Sequence, residues 1–189
     1  MRGPAFTSVR ERRLWALTGA AVLAIYLTLG VARSLSDWLV AQELLGAAFF
    51  AGMAGVFAGV VLHGWSRRPR PAEVGLLVAL AAAWMFVPVR MLSGAERSHL
   101  IEYAAVSLLA DAALRERRDN GVEVPVPAVL AVLFGTLVGV LDELIQAVLP
   151  NRVCDPADML FDGLASALAV GSHRAVAWVR ARTAGGGEA

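Results

Sequence analysis

The sequence predicts an all-α protein, a polytopic bundle of about six transmembrane helices with both termini in the cytoplasm. Apolar residues make up 58% of the 189 residues, and the mean hydropathy is +0.62. Only 17% of the residues are charged, whereas soluble domains carry about 25%. The apolar residues also fall in runs that are too long for soluble core helices. We therefore expect a multi-pass protein of the cell membrane, with the lipid bilayer as a partner.

The charge balance and the cysteine count exclude several other classes. The formal net charge is +1, and no basic tract with interleaved aromatic residues occurs, so no nucleic-acid partner is predicted. Cys154 is the single cysteine, which excludes an intrachain disulfide and a cysteine-based zinc site. The residues alone predict neither a cofactor nor an oligomeric state.

Six apolar stretches follow one another, and their short connections favour antiparallel neighbours. The first is long for a signal peptide and is interpreted as a retained membrane anchor. The fourth is amphipathic, and the sixth has the shortest apolar stretch. The predicted spans lie at about 14–31, 39–65, 73–91, 96–114, 126–149 and 158–174.

The distribution of arginine sets the orientation of these spans. With the N-terminus in the cytoplasm, thirteen of the 17 basic residues fall on the cytoplasmic side. The other four lie in outer connections: Arg33, Arg90, Arg97 and Arg152. An excess of arginine in cytoplasmic loops is the usual pattern of membrane proteins. The count therefore favours an even number of spans with both ends inside.

Polar residues gather at the outer ends of the last three predicted spans. Those of the fourth span share one helix face, because they are spaced by three and four residues. Those of the fifth span lie in its outer half, and the rest lie in the following loop and at the start of the sixth span. We expect them at one membrane level as a polar site. They are His99, Glu102, Tyr103, Asp142, Glu143, Gln146, Arg152, Asp155, Asp158 and Asp162.

Energetics predict that Asp142 and Glu143 face the bundle interior. An acidic residue at the centre of a membrane helix costs about 2.5–3.5 kcal/mol, so two of them offset most of the gain from the apolar residues around them. Interior partners or a wet cavity relieve that cost. Gly135 and Gly139 lie on the same side of the helix, where small residues permit close packing. The fourth span, which carries His99, is the expected neighbour.

Simpler structural roles exist for several of these residues. Asp158 is equally well explained as the N-cap of the sixth helix. Asp155 precedes Pro156, which is a turn signal. Arg152 suits an interfacial anchor. The whole set also fits a structural polar network, although ionisable groups inside membranes more often mark functional sites.

Two segments in the C-terminal half carry most of these residues. They are "HLIEYAAVSLLADA" at 99–112 and "GVLDELIQAVLPNRVCDPADMLFDGLASAL" at 139–168. Together they resemble the VanZ-like family of bacterial membrane proteins. The family pattern is matched in order from about residue 96 to 172. Asp162 stands where the family usually has Asn, and Ala165 where Gly is common. The matching residues are His99, Glu102, Tyr103, Gly139, Asp142, Glu143, Gln146, Pro150, Arg152, Asp155 and Asp158.

The resemblance implies a division of the chain and a cellular setting. Residues 1–95 form an N-terminal membrane region with about three spans, 96–174 a VanZ-like core with about three spans, and 175–189 a cytoplasmic tail. The family is named for a protein that raises resistance to teicoplanin, a glycopeptide antibiotic. For this chain the resemblance implies a link to the bacterial cell envelope. A ligand related to glycopeptides is one expectation that follows from it.

Three functions fit the pattern. The first is binding of an envelope lipid or peptidoglycan-linked ligand at the outer face, with Arg152 and Arg97 holding an anionic head group. The second is a membrane enzyme acting on a lipid or isoprenoid phosphate, with Glu143 as base or metal ligand and His99 as acid. Its oxygen-rich cluster suits Mg²⁺ or Mn²⁺. The third is a small transporter, although the sequence has no visible inverted repeat.

Overall fold

The computed structural model of the chain describes residues 5–44, 46–47, 51, 71–90, 96–149 and 155–185. Its long helices are all α, and the described residues contain no strand, which confirms the predicted all-α class. Most of the second predicted span lies outside the described residues, and so do Arg152 and Cys154. The helices are α1 Val9–Ala41, α2 Pro71–Arg90, α3 Glu96–Asp119, α4 Pro127–Gln146 and α5 Pro156–Gly185.

Four of these helices correspond to the predicted third to sixth spans, but two boundaries differ from prediction. The apolar segment of α1, Val9–Leu29, agrees with the first predicted span, but the helix does not end there, because α1 has 33 residues and reaches Ala41. Residues 32–41 contain neither Gly nor Pro, so nothing in this segment stops the helix. α5 also runs beyond the predicted end at 174 and continues to Gly185.

Two of the described helices are long and apolar enough to cross a membrane. They are the segment Val9–Leu29 of α1 and the whole of α4, Pro127–Gln146. A shorter apolar stretch, Pro71–Phe86, belongs to α2. These two helices therefore support membrane association of the chain.

The chain forms two compact units. One combines Met1–Ala32 with His99–Val170, and the other combines Arg33–Ser98 with Gly171–Ala189. In the second unit, the Arg180 Nε lies 3.2 Å from Glu73 Oε2. Trp84 Nε1 donates to Ser172 Oγ at 3.3 Å in the same unit. The first unit contains all the described residues of the predicted polar site.

The two faces of α4 are reversed relative to a helix of a soluble protein. Its buried face carries small and polar residues, whereas leucines line the opposite side. Leu133 and Leu137 are 59% and 57% exposed, while Asp142 and Glu143 are fully buried. In water such a helix would bury its leucines. The exposed apolar stripe consists of Val129, Leu133, Leu137, Leu141 and Leu144.

An N-terminal cap fixes the start of α1, and sequence reasoning missed it. Ser8 Oγ accepts the Glu11 backbone N–H at 2.9 Å, and Glu11 in turn accepts the Thr7 backbone N–H at 2.6 Å. The Ser–x–x–Glu spacing at 8–11 is the signal for such a capping arrangement. Arg117 Nη1, near the end of α3, donates to Glu11 Oε1 at 2.8 Å. The start of α1 is thereby tied to the end of α3.

The connection between α3 and α4 is built from turn-forming residues. Gly121 has a φ of 88°, a left-handed conformation that glycine adopts without strain. Pro127 opens α4, where its missing N–H is not needed. The short turn brings α4 back along α3.

The first unit has an apolar layer near the connection between α3 and α4. Ala110 of α3, Ala131 of α4 and Val170 of α5 are its buried centre. Trp15 and Phe134 pack against the same layer, with their ring centroids 5.9 Å apart. The three C-terminal helices therefore meet through apolar side chains at this depth, and the buried Asp111 lies next to Ala110 on α3.

Candidate functional site

The described residues of the predicted polar site converge at the opposite end of the same three helices. Tyr103 of α3 donates its hydroxyl to Asp142 Oδ2 of α4 at 2.8 Å. His99, one turn earlier on α3, places its Nδ1 3.1 Å from Asp162 Oδ1 of α5. Because the acceptor is a carboxylate, the imidazole Nδ1–H is the donor. These two bonds link all three helices through buried side chains.

Glu143 is held by donors on both carboxylate oxygens. Gln146 Nε2 lies 3.1 Å from Oε1, and the Asp155 backbone N–H donates to Oε2 at 2.9 Å. Gln146 Nε2 also lies 3.3 Å from Asp142 Oδ2. The expected inward orientation of Asp142 and Glu143 is observed, since both are fully buried. These hydrogen bonds hold the Glu143 carboxylate in place near the end of α4.

Two glycines of α4 allow the neighbouring helices to approach. A Cβ at Gly139 would lie 2.5 Å from Asp162 Oδ2 and 2.6 Å from Asp162 Cβ. A Cβ at Gly135 would overlap Ser107 Oγ and would lie 2.5 Å from Ser166 Oγ. The close packing predicted for these glycines is therefore present. It involves α5 as much as the predicted neighbour α3.

The N-cap of α5 is Asp155 rather than Asp158. The helix begins at Pro156, and Asp155 Oδ1 accepts the Ala157 backbone N–H at 2.8 Å. The interpretation of Asp158 as the N-cap is wrong, because Asp158 lies inside the first turn. Asp158 also has an interaction partner of its own. The carboxylate of Asp158 therefore does not cap α5.

Three side chains bring potential metal-ligating atoms close together. A ring nitrogen of His99 and carboxylate oxygens of Glu143 and Asp158 all lie within 4.8 Å of one another. Each comes from a different helix, α3, α4 and α5. We call the five residues His99, Asp142, Glu143, Asp158 and Asp162 the acidic cluster, because it sets four carboxylates around one imidazole.

Two oxygens of the acidic cluster lack a hydrogen-bond partner among the described residues. They are Asp142 Oδ1 and Asp162 Oδ2, and both side chains are fully buried. A buried carboxylate oxygen without a partner costs free energy, since it has lost its hydration. The cluster therefore has unused capacity to accept hydrogen bonds or to bind a cation.

The remaining predicted site residues fall at the edge of this cluster or outside the described part. Glu102 is half-buried on α3 and lies within electrostatic range of the His99 ring. Glu102 also has an interaction partner. Arg152, predicted to bind an anionic group, lies outside the described residues.

Sequence reasoning missed the serines that continue the polar surface inward. Ser107 and Ser166 are fully buried, and neither hydroxyl has a partner among the described side chains. Ser107 follows Tyr103 by four residues, and Ser166 follows Asp162 by four. That spacing puts each serine on the same helix face as the polar residue before it. It is the feature of the sequence from which the two serines could have been predicted.

On α4 and α5 the polar surface ends at the apolar layer. Val170 follows Ser166 by one turn, and Ala131 precedes Gly135 by one turn. Both are buried at or below 2% exposure. On α3 a buried charged residue continues the polar face, because Asp111 follows Ser107 by four residues and pairs with Arg115.

Chemically, the acidic cluster can accept hydrogen bonds, exchange protons through His99, or bind a cation. No protein-family model, curated protein or solved structure matches the chain.

Proposed function

We propose that the chain is a VanZ-like multi-pass membrane protein of the bacterial cell envelope. In this proposal it has about six spans, both termini are cytoplasmic, and the acidic cluster binds a lipid or peptidoglycan-linked ligand at the outer face. The single observation that carries the proposal is the reversal of α4. Its leucines face outward while Asp142 and Glu143 are buried against α3 and α5.

The outward leucine stripe supports a lipid environment for this helix. Apolar patches larger than a few hundred Å² are rare on soluble monomers. Buried ionisable groups inside a membrane bundle are costly and usually serve a function. The two faces together favour a helix with lipid on one side and a polar site on the other.

The charge of the acidic cluster favours particular ligand groups. Carboxylates accept hydrogen bonds and attract positive charge. Hydroxyl and ammonium groups of a lipid or cell-wall sugar are therefore the expected direct contacts. A phosphate in the same ligand would need a separate positive partner, and Arg152 is the predicted one.

The packed layer argues against the transporter interpretation. A transport path through these helices would have to pass Ala110, Ala131 and Val170, which are buried against one another. Asp111, a charged residue buried next to Ala110, is paired with Arg115 of its own helix. A site that opens toward one side of the membrane agrees better with these contacts.

Co-purified lipid tests the proposal. We would purify the wild type and Glu143→Gln in mild detergent and identify bound envelope lipids by native mass spectrometry. Glutamine keeps the side-chain size but removes the charge that accepts donors at both oxygens. The expected result is a lipid or lipid-linked cell-wall adduct on the wild type that is lost or strongly reduced in Glu143→Gln.

Asp111→Asn is the matched control for that experiment. Asp111 is also fully buried, but it pairs with Arg115 on its own helix at 3.0 Å and lies outside the acidic cluster. Its variant should keep the adduct. Equal adducts on all three proteins, at equal thermal stability, would refute ligand binding by Glu143.

A second candidate function is a membrane enzyme acting on a lipid or isoprenoid phosphate. The approach of His99, Glu143 and Asp158 within 4.8 Å favours it. A carboxylate and an imidazole at such a distance form a workable acid–base pair. Turnover of an isoprenoid phosphate by the wild type, but not by His99→Gln, would select this candidate over simple binding.

A further inference from the structure

We propose that His99, Glu143 and Asp158 form a site for a divalent transition-metal ion, with Zn²⁺ or Mn²⁺ as the class of ion that fits. This inference deepens the proposed function and rests on it, because the ion would occupy the same acidic cluster that binds the ligand.

The distances among the three side chains suit a single ion. Their ligand atoms lie within 4.8 Å of one another. Ligands of a tetrahedral zinc ion lie about 3.3–3.6 Å apart, and ligands on opposite sides of an octahedral ion lie about 4–4.5 Å apart. The three side chains would therefore close slightly around an ion. One imidazole and two carboxylates form a mixed nitrogen and oxygen set. Such a set suits zinc and manganese better than the all-oxygen ligands that magnesium and calcium prefer.

Asp162 positions the imidazole for this role. Its Oδ1 accepts the Nδ1–H of His99, so the proton resides on Nδ1 and the Nε2 lone pair is available to a metal. Metal-ligating histidines commonly donate their second ring N–H to a carboxylate, which fixes the tautomer and orientation. Asp162 is fully buried between α3 and α4, where Gly139 leaves room for it.

Two partnerless oxygens next to the proposed ligands show that the negative charge of the acidic cluster is not fully compensated. Asp162 Oδ2 belongs to the carboxylate that holds His99, and it has no hydrogen-bond partner among the described residues. Asp142 Oδ1 also has no hydrogen-bond partner among the described residues, and both side chains are fully buried. Buried carboxylates are normally paired or coordinate metals. A divalent cation among four carboxylates would compensate much of their charge.

Three protein ligands leave coordination positions open on the ion. Structural zinc sites are closed by four protein ligands, whereas sites that bind a substrate keep at least one position free. An ion here would therefore offer a positive contact to an oxygen of the envelope ligand. This would give an otherwise acidic cluster a way to hold a phosphate.

The test uses the purified full-length protein in detergent. After treatment with a chelator, we would measure binding of Zn²⁺, Mn²⁺ and Mg²⁺ by equilibrium dialysis with elemental analysis. Co²⁺ would serve as a spectroscopic probe through its visible absorption. We expect one Zn²⁺ or Mn²⁺ per chain, with Mg²⁺ binding more weakly.

Two aspartate substitutions form a matched pair. Asp158→Asn removes one proposed ligand, whereas Asp111→Asn changes a buried aspartate that pairs with Arg115 outside the acidic cluster. Asp158→Asn should weaken binding by about tenfold or more, and Asp111→Asn should leave it unchanged. Asp162→Asn should weaken binding by a similar factor and alter the Co²⁺ spectrum, while the metal-free protein keeps its melting temperature within a few degrees.

Failure of the metal site is distinguishable from failure of ligand binding. A folded wild type that binds none of these ions, or equal losses in Asp158→Asn and Asp111→Asn, would overturn the metal proposal. If the lipid adduct persists after chelation and still depends on Glu143, the proposed function stands without the metal. If the ion binds but no ligand does, the metal site stands and the proposed function fails.

Discussion

At the scale of single residues, the site depends on which hydrogen bonds each buried carboxylate receives. Asp142 accepts from Tyr103 and Gln146 through one oxygen, and Glu143 accepts through both. Removing a donor from a buried acceptor costs more than the bond itself is worth, because the acceptor cannot regain water. The hydroxyl of Tyr103 is therefore expected to matter for stability as well as for the site.

The chain's two tyrosines provide a direct test of this point. Tyr103→Phe removes the bond to a buried carboxylate, whereas Tyr26→Phe removes a bond at 3.0 Å to the Val138 backbone carbonyl. We expect Tyr103→Phe to lower the free energy of unfolding by about 1–3 kcal/mol and Tyr26→Phe by about 0.5–1.5 kcal/mol. Thermal or denaturant unfolding in detergent measures both. A larger loss in Tyr26→Phe would contradict the assigned role of Tyr103.

Sequence reasoning reached some of these residues and not others, for physical reasons. Hydropathy alone predicts that Asp142 and Glu143 face inward, because the cost of exposing them to lipid is large. It does not predict that His99 pairs with Asp162, since spacing along one helix says nothing about which neighbour lies opposite. It also missed Ser107 and Ser166, because isolated serines carry no charge and are common in membrane helices.

At the scale of helices, close contact at two glycines of α4 determines the arrangement. Gly135 faces the serines of α3 and α5, and Gly139 faces Asp162. The sequence predicts small residues at a helix interface, but it does not identify the partner helix. The length of α1 was likewise not predicted. The polar residues at 33–37 resemble a loop in composition, yet no Gly or Pro interrupts the helix there.

Alanine substitutions at glycines separate packing from helix propensity. Gly135→Ala and Gly139→Ala place a methyl group against neighbouring side chains, and each should cost about 1–3 kcal/mol of stability. Gly19→Ala, in α1, has no atom within 4 Å of the added Cβ. It should be neutral or stabilise by up to about 1 kcal/mol, because alanine favours the helix.

Melting temperatures of the three glycine variants check this ranking. Gly139→Ala should also weaken whatever binds the acidic cluster, because it displaces Asp162. Gly135→Ala, one turn away, should affect binding less. A Gly139→Ala protein as stable as Gly19→Ala would show that α4 and α5 are not packed as described.

At the scale of the whole molecule, the central prediction is a membrane protein with its polar site toward the outside. The arginine distribution, the apolar segment of α1 and the leucine stripe of α4 support it. Two helices meet the length and apolarity needed for spanning. The six-span topology remains a prediction. Among the described helices α3 and α5 do not reach the apolarity of these two, and α2 has only the shorter apolar stretch Pro71–Phe86. Much of the second predicted span lies outside the described residues.

The single cysteine tests the predicted orientation. Cys154 lies in the predicted outer loop between the fifth and sixth spans. A membrane-impermeant maleimide should label it in intact cells or spheroplasts, and Cys154→Ala should remove the label. Labelling that requires permeabilised membranes would place this loop inside and reverse the topology. The ten-residue polar site would then face the cytoplasm.

The most direct test of the polar site is whether the charge of Glu143 is needed for function in the cell. We would express the wild type, Glu143→Gln and Asp111→Asn in a strain that lacks the gene. Glycopeptide susceptibility and envelope-lipid profiles would be compared at equal membrane levels. We expect the wild type and Asp111→Asn to change susceptibility or lipid profile relative to the strain without the gene, and Glu143→Gln to produce no such change. A Glu143→Gln protein that is abundant and acts as the wild type would contradict it.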